Sequence, residues 1–301
     1  MAAHGLTRLA SWAGMAGMDR LAGLGARVPV LARARVTRAS AMLALFVAGV
    51  EVPRSLLGAD LEPFIDLVEL HGDVARATVA ILPIGRRVII CDRADASAER
   101  ELVCWPDDSS FHLLRSIPPA TKHGTWLDLG CGSAVAAIAS PGTAGRIVGS
   151  DLNPRALQYA ARAARFAGLS HLETLEGDLA TVPADLITCN APIPGERGPL
   201  WRAAGAGFVA RAFANAAAAL TPGGMVIVHA ALSPLLDLQL AGELVIVAYT
   251  PVGEPREFAV AWWRPDAPPR QVRARRGLEL GRPHLDASDR EAALAGTLVA
   301  L

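Results

Sequence analysis

The segment Leu127-Asp128-Leu129-Gly130-Cys131-Gly132-Ser133-Ala134 holds the residues best suited to chemistry. A β-rich run ends in Gly-x-Gly and opens into small residues that suit a helix. Backbone can approach a ligand closely where no Cβ intervenes, and helix N–H groups point at whatever sits there. Two ligand classes use such a turn. A dinucleotide brings a pyrophosphate and needs a third glycine three residues after the second; Val135 stands at that position. A methionine-derived sulfonium brings an ammonium instead. Asp128, two residues before Gly130, offers the carboxylate that an ammonium attracts and a pyrophosphate repels. These residue types disfavour nicotinamide-dependent oxidoreduction and favour the sulfonium.

Three further polar residues close predicted strands. Asp151 ends the second, where a carboxylate can accept both hydroxyls of a ribose. Asp178, in Glu176-Gly177-Asp178-Leu179, follows the third and could accept from an adenine amino group. Asn190 closes the fourth, in Thr188-Cys189-Asn190-Ala191-Pro192-Ile193. Each alone also fits a helix cap or a turn, and Asp151 with Asn153 suits the cap of the next helix. Polar residues on four successive strand ends fit one pocket better, because open α/β sheets bind ligands at the carboxyl ends of their strands.

The elements that position these residues follow from periodicity. Up to about Pro83 the apolar spacing over Ala39–Ala48 and Leu56–Val68 is helical, and Asp73–Leu82 is a candidate further helix. Arg87–Cys91 and Glu101–Trp105 read as a β-hairpin. From Lys122 the rhythm becomes strand, turn, helix. Strands are predicted at Trp126–Leu129, Arg146–Ser150, His171–Leu175, Asp185–Cys189 and Met225–Ala230, with helices at Ala134–Ser140, Pro154–Ala167 and Ala203–Leu220. Alternation of this kind implies a mostly parallel sheet covered by helices on both faces. Glu243–Tyr249 and Arg256–Trp263 should pair antiparallel. The expected organisation is a mainly helical N-terminal domain (1–83), a β-hairpin linker (84–110), an α/β domain (111–268) and a C-terminal arm (269–301).

Composition narrows the function. Lys+Arg and Asp+Glu both number 29, so no bulk positive field holds a polyanion, which counts against a dedicated DNA or RNA binder. Cys91, Cys104, Cys131 and Cys189 show no metal-ligand spacing and read as reduced thiols. The apolar stretch Ala41–Val50 is too short to span a bilayer. Met1–Arg38 reads as a helical or loose leader without a signal-peptide core. A soluble cytoplasmic protein with no metal is expected.

The stretch from Asp108 to Arg264 resembles the class I S-adenosylmethionine-dependent methyltransferases. Asp-Leu-Asn-Pro-Arg-Ala-Leu (151–157) and Asn-x-Pro after the fourth strand resemble the branch that methylates planar or amide nitrogens, including release-factor glutamine and ribosomal RNA guanine methyltransferases. The resemblance implies a Rossmann-like sheet and S-adenosylmethionine as cofactor. Asp128, Gly130, Cys131 and Gly132 would hold its methionine end, Asp151, Leu152 and Asn153 its ribose side, and Asp178 with Leu179 its adenine. Asn190 and Pro192 would meet the acceptor nitrogen beside the methyl group. Asp107-Asp108-Ser109-Ser110 resembles the branch's segment that closes over the cofactor, which makes Ser110 a further contact. That branch has Asn-Pro-Pro followed by an aromatic; here Ala191 and Ile193 stand in place of the first proline and the aromatic.

Methyl transfer needs the nucleophile, the methyl carbon and the sulfur held in line, and the cofactor supplies the activation. The first expectation is therefore transfer to a nitrogen of a protein, peptide or small molecule. Alternatives are a secondary-metabolite O-methyltransferase and a non-catalytic cofactor- or RNA-binding module, the latter resting on Arg270–Arg276. Of the histidines only His229 falls near the expected site, and a lone His is more often structural than a base. Trp201 is an open candidate for the missing stacking residue. Trp262 and Trp263 read as packing residues, with alternation turning one inward and one outward.

Overall fold

The computed structural model describes residues 33, 35–97, 101–119, 122–193, 200, 207–251, 255–278 and 282–301. The N-terminal part differs from its helical expectation. Short helices α1 (Ala41–Phe46) and α2 (Arg54–Leu57) and a 3-10 segment (Gly58–Leu67) accompany a three-stranded sheet of β1 (Val52–Pro53), β2 (Val68–His71) and β3 (Val74–Ala77). The span 73–82 is extended, because Gly72 at φ +60° turns β2 back on β3. The hairpin pairs β4 (Ala80–Ile84) with β5 (Arg87–Cys91) around Gly85-Arg86, and 101–105 has no part in it. Continuous burial of both strands explains the pairing: each is apolar on both faces and would be costly as a lone strand.

Among the described residues the main sheet holds nine strands. They are β6 (His123–Leu129), β7 (Ala144–Asp151), β8 (Leu172–Glu176), β9 (Ala184–Asn190), β10 (Leu220–Ala231), β11 (Glu243–Tyr249), β12 (Phe258–Arg264), β13 (Arg270–Arg275) and β14 (Val299–Ala300), in the order β14-β13-β11-β12-β10-β9-β6-β7-β8. From β8 through β10 all pairs are parallel, and β12 enters antiparallel between β10 and β11. The chain leaves β6 toward β7 and β8 and then returns to β9 on the other side. That reversal is the topological switch point at which such sheets bind ligands.

Helix α3 (Asp108–Ser116) precedes β6, α4 (Val135–Ala139) follows it, and α5 (Pro154–Ala167) follows β7; α6 (Phe208–Ala219), α7 (Leu232–Leu236) and α8 (Ala287–Leu294) come later. In α5, Asn153 caps Arg155 N–H, Pro154 opens the first turn and Gly168 closes it at φ +68°. Its Ala156, Leu157, Ala160, Ala163 and Ala164 face the core at helical spacing. One face of the sheet (Trp126, Ile147, Leu186, Ile227, Trp262) packs with the N-terminal elements and α5, the other (Leu127, Ile187, Val226, Trp263) with α6 and α7. Both tryptophans of β12 are therefore buried, one in each core, since helices cover both faces. Among the described residues no helix is long and apolar enough to cross a membrane.

The C-terminal stretch is no free arm where described. Strand β13 extends the sheet in parallel with β11, and β14 pairs with it. Arg270 donates to Leu294 O, Arg273 to Leu236 O and Arg276 to Asp289 and His284 O, while Arg275 pairs with Glu257. The arginines of this stretch are thus held on a structured strand with intramolecular partners.

Candidate active site

Alternation along the strands puts Asp128, Thr188, Asn190, His229 and Tyr249 on one face, each at or near the crevice end of its strand. Register aligns Asp128 with Thr188 and Asn190 with His229. Trp126 Nε1 donates to Thr188 Oγ1 at 2.7 Å, and Thr188 donates to Asp128 Oδ1 at 2.6 Å. Indole can only donate, so the threonine proton is committed to the carboxylate. Asp128 is 4% exposed. Burial pushes its carboxyl up to about 7, against the pull of Thr188 and with the Asp151 charge adding to the rise.

Gly130 and Gly132 sit at φ +66° and +54°. A Cβ on either would meet no atom of the described residues within 4 Å, so their conformation demands glycine and the described residues leave the space before them open. Asp151 braces this turn: its Oδ2 accepts Gly132 N–H at 2.8 Å and its Oδ1 accepts Asn153 N–H at 2.8 Å. A carboxylate has about four acceptor positions, so two remain for a ligand. Desolvation raises the Asp151 pKa against those backbone N–H groups. Cys131 is buried against β7 and fits only because residue 149 is glycine; a Cβ there would lie 2.8 Å from Cys131 Sγ. Leu152 is 47% exposed at the crevice. Asn153 is buried, and its Nδ2 donates to Glu101 O. Leu179 takes φ +53°, and Asn215 donates to its carbonyl. Asp178 differs from its expected placement in one respect: its exposed carboxylate accepts from Arg211 on α6.

The other side of the crevice centres on Asn190. Its Nδ2 donates to Ser109 Oγ at 2.8 Å, and its Oδ1 lies 2.9 Å from His229 Nδ1. Asp107 caps α3, accepting both the N–H and the hydroxyl of Ser109. Ser109 thus makes the contact with Asn190, while the expected Ser110 sits half-buried in the same turn, its N–H on Asp107 O. His229 Nε2 lies 2.8 Å from Tyr249 OH. Burial lowers the His229 pKa to about 3 and pushes the Tyr249 phenol up, so both are neutral. His112 of α3 stacks on Tyr249 with ring centres 3.9 Å apart. Its Nδ1 accepts Leu285 N–H, and its buried Nε2 has no hydrogen-bond partner among the described residues. Pro192 and Ile193 are half-buried beyond Asn190; Trp201 lies outside the described residues.

Residues 120–240 match a family described as a methyltransferase domain. The sheet order and the buried acid before the glycine turn agree with that match. The chain carries a class I S-adenosylmethionine-dependent methyltransferase domain. S-adenosylmethionine is its cofactor. A buried carboxylate short of a cation, beside open space in front of two glycines, fits the ammonium end of that molecule. A ribosomal RNA methylase from Streptococcus thermophilus is similar over 52% of the methyltransferase and 93% of its own chain (13% identity, TM-score 0.38). Trm5b from Pyrococcus abyssi is similar over 65% and 61% (13%, 0.44), and the N-methyltransferase NodS from Bradyrhizobium japonicum over 53% and 94% (20%, 0.39). No curated protein sequence matches the chain.

Sequence reasoning missed Thr188, Gly149, Ser109 and Tyr249, and it set His229 aside. His229 carried a usable signal: it falls at the same height on β10 as Asn190 on β9, on the same alternating face. Tyr249 and Thr188 carried none, since each is an ordinary residue of an apolar strand.

Proposed function

We propose that the methyltransferase transfers a methyl group to a nitrogen of a protein, peptide or small-molecule acceptor, in the manner of the Asn-Pro-Pro branch. The observation that carries this reading is the fixed carboxamide of Asn190. One Nδ2 hydrogen goes to Ser109 and one Oδ1 lone pair to His229, which leaves one donor and one acceptor for a substrate. Oδ1 would accept an N–H of the acceptor, orient its lone pair and favour the positive charge that develops on nitrogen. Asp128 would bind the cofactor's ammonium, and the free acceptor positions of Asp151 would take the ribose hydroxyls. Leu152 and Leu179 would face the adenine, with Asp178 near its amino group. Pro192 would hold the Asn190 loop at the acceptor. S-adenosylmethionine supplies a methyl group already activated by its sulfonium; the chain needs only to place the nucleophile and exclude water. Balanced overall charge favours these acceptors over RNA.

The test is transfer of tritium from labelled cofactor into a fractionated cell extract. Label is expected in protein or small molecules, and Asn190→Ala should lower it by about 100-fold or more with cofactor affinity kept. Label in RNA would overturn the acceptor class, and full transfer by Asn190→Ala would overturn the role of Asn190.

A further inference from the structure

We propose that His229, held by Tyr249, is a positioning residue that fixes which end of the Asn190 carboxamide carries the oxygen at the crevice. The proposal rests on the reading that Asn190 meets the acceptor. It follows from the order in which protons must be donated. Asp107 can only accept, so the single hydroxyl proton of Ser109 goes to it. Ser109 Oγ must then accept from its other neighbour, which places the Asn190 nitrogen at Ser109 and its oxygen at His229. The His229 ring therefore carries its proton on Nδ1. Its bare Nε2 accepts the Tyr249 hydroxyl. Donation runs one way, from Tyr249 through His229, Asn190 and Ser109 to Asp107.

Packing alone does not call for this pair. His229 and Tyr249 are each 2% exposed and stand in a row whose neighbours on the same strands are Ile227, Val245 and Val247. Burying an imidazole and a phenol there costs more than burying aliphatic side chains would. The hydrogen bonds offset that cost only because each partner is satisfied, and the chain of satisfied partners leads to Asn190. The ring of His112 on one side of Tyr249, with ring centres 3.9 Å apart, and the parallel ring of Phe258 on His229, at 5.8 Å, leave the pair little room to turn. With the pair in place an inverted Asn190 would set its NH2 against the Nδ1–H and its oxygen against a hydroxyl already committed elsewhere.

The experiment has two parts. In the wild-type protein, long-range proton–nitrogen NMR of the His229 ring should show the Nδ1–H tautomer; the Nε2–H tautomer would overturn the proposal. The second part compares Tyr249→Phe, His229→Gln and His229→Asn for label transfer into the fraction that the wild type labels. The Asn side chain keeps a donor near the place of Nδ1, whereas Gln moves it to the place of Nε2. Transfer at saturating cofactor should fall about 10- to 100-fold in Tyr249→Phe and His229→Gln and stay within about threefold in His229→Asn, with cofactor affinity unchanged in all three. Equal losses in all three, tracking their melting temperatures, would reduce the pair to packing and overturn the proposal. If the wild type labels no fraction, the reading of Asn190 fails, and the tautomer still decides whether His229 orients that side chain.

Discussion

The two sides of the crevice each end in a carboxylate, but the carboxylates are used differently. On the side proposed for the cofactor the relay runs from Trp126 through Thr188 to Asp128, which is buried and has no counter-charge among the described residues. On the side proposed for the acceptor it runs from Tyr249 to Asp107, which is exposed at the start of α3 and already accepts from Ser109. A carboxylate with unmet demand binds; one with met demand orients what lies before it. The comparison separates residues that should change cofactor affinity from residues that should change turnover.

The largest effect on cofactor affinity belongs to Asp128→Asn. Loss of a charge-assisted contact should weaken cofactor binding by about 10- to 100-fold, measured by calorimetry. The pH dependence has a definite sign. Burial pushes the free Asp128 carboxyl up to about 7, and a cation favours its ionised form. Wild-type affinity relative to Asp128→Asn should therefore be greatest above about 7 and fall by about tenfold per unit as pH drops below it, with proton release on binding. An unchanged ratio across that range would leave Asp128 without its assigned partner.

Gly149→Ala should come next. Its Cβ would collide with Cys131 Sγ, and overpacking of this kind costs about 1–3 kcal/mol. Pushing Cys131 away shifts the glycine turn, so affinity should fall by about tenfold, and adding Cys131→Ala should restore much of it. Additive losses in the double variant would mean that the turn does not depend on that contact. Arg273→Ala, on β13 far from the crevice residues in strand order, should change least. Transfer should be unaltered and the melting temperature should move by a degree or so; a clear loss of transfer would bring β13 into acceptor binding.

Legibility in the sequence followed distance along the chain. Asp128, Gly130, Gly132, Asp151 and Asn153 lie in two strand–turn–helix units whose local chemistry dictates the turn, and α5 runs from Pro154 to Ala167 as its cap and stop residues predict. Thr188 meets Asp128 only because β9 lies beside β6, and Tyr249 reaches His229 across β12. These adjacencies are set by strand order, which no short window of sequence carries. The N-terminal strands were hidden for another reason. Their apolar residues recur at spacings that a helix also satisfies, and Gly72 and Gly85 at positive φ turned the chain into hairpins.

The most direct test is a crystal structure with S-adenosylhomocysteine, the demethylated product. Its ammonium is expected in hydrogen-bonding reach of Asp128, its ribose hydroxyls on Asp151, and its sulfur facing Asn190. Product bound away from these three side chains, or with its amino acid end turned from Asp128, would contradict the account.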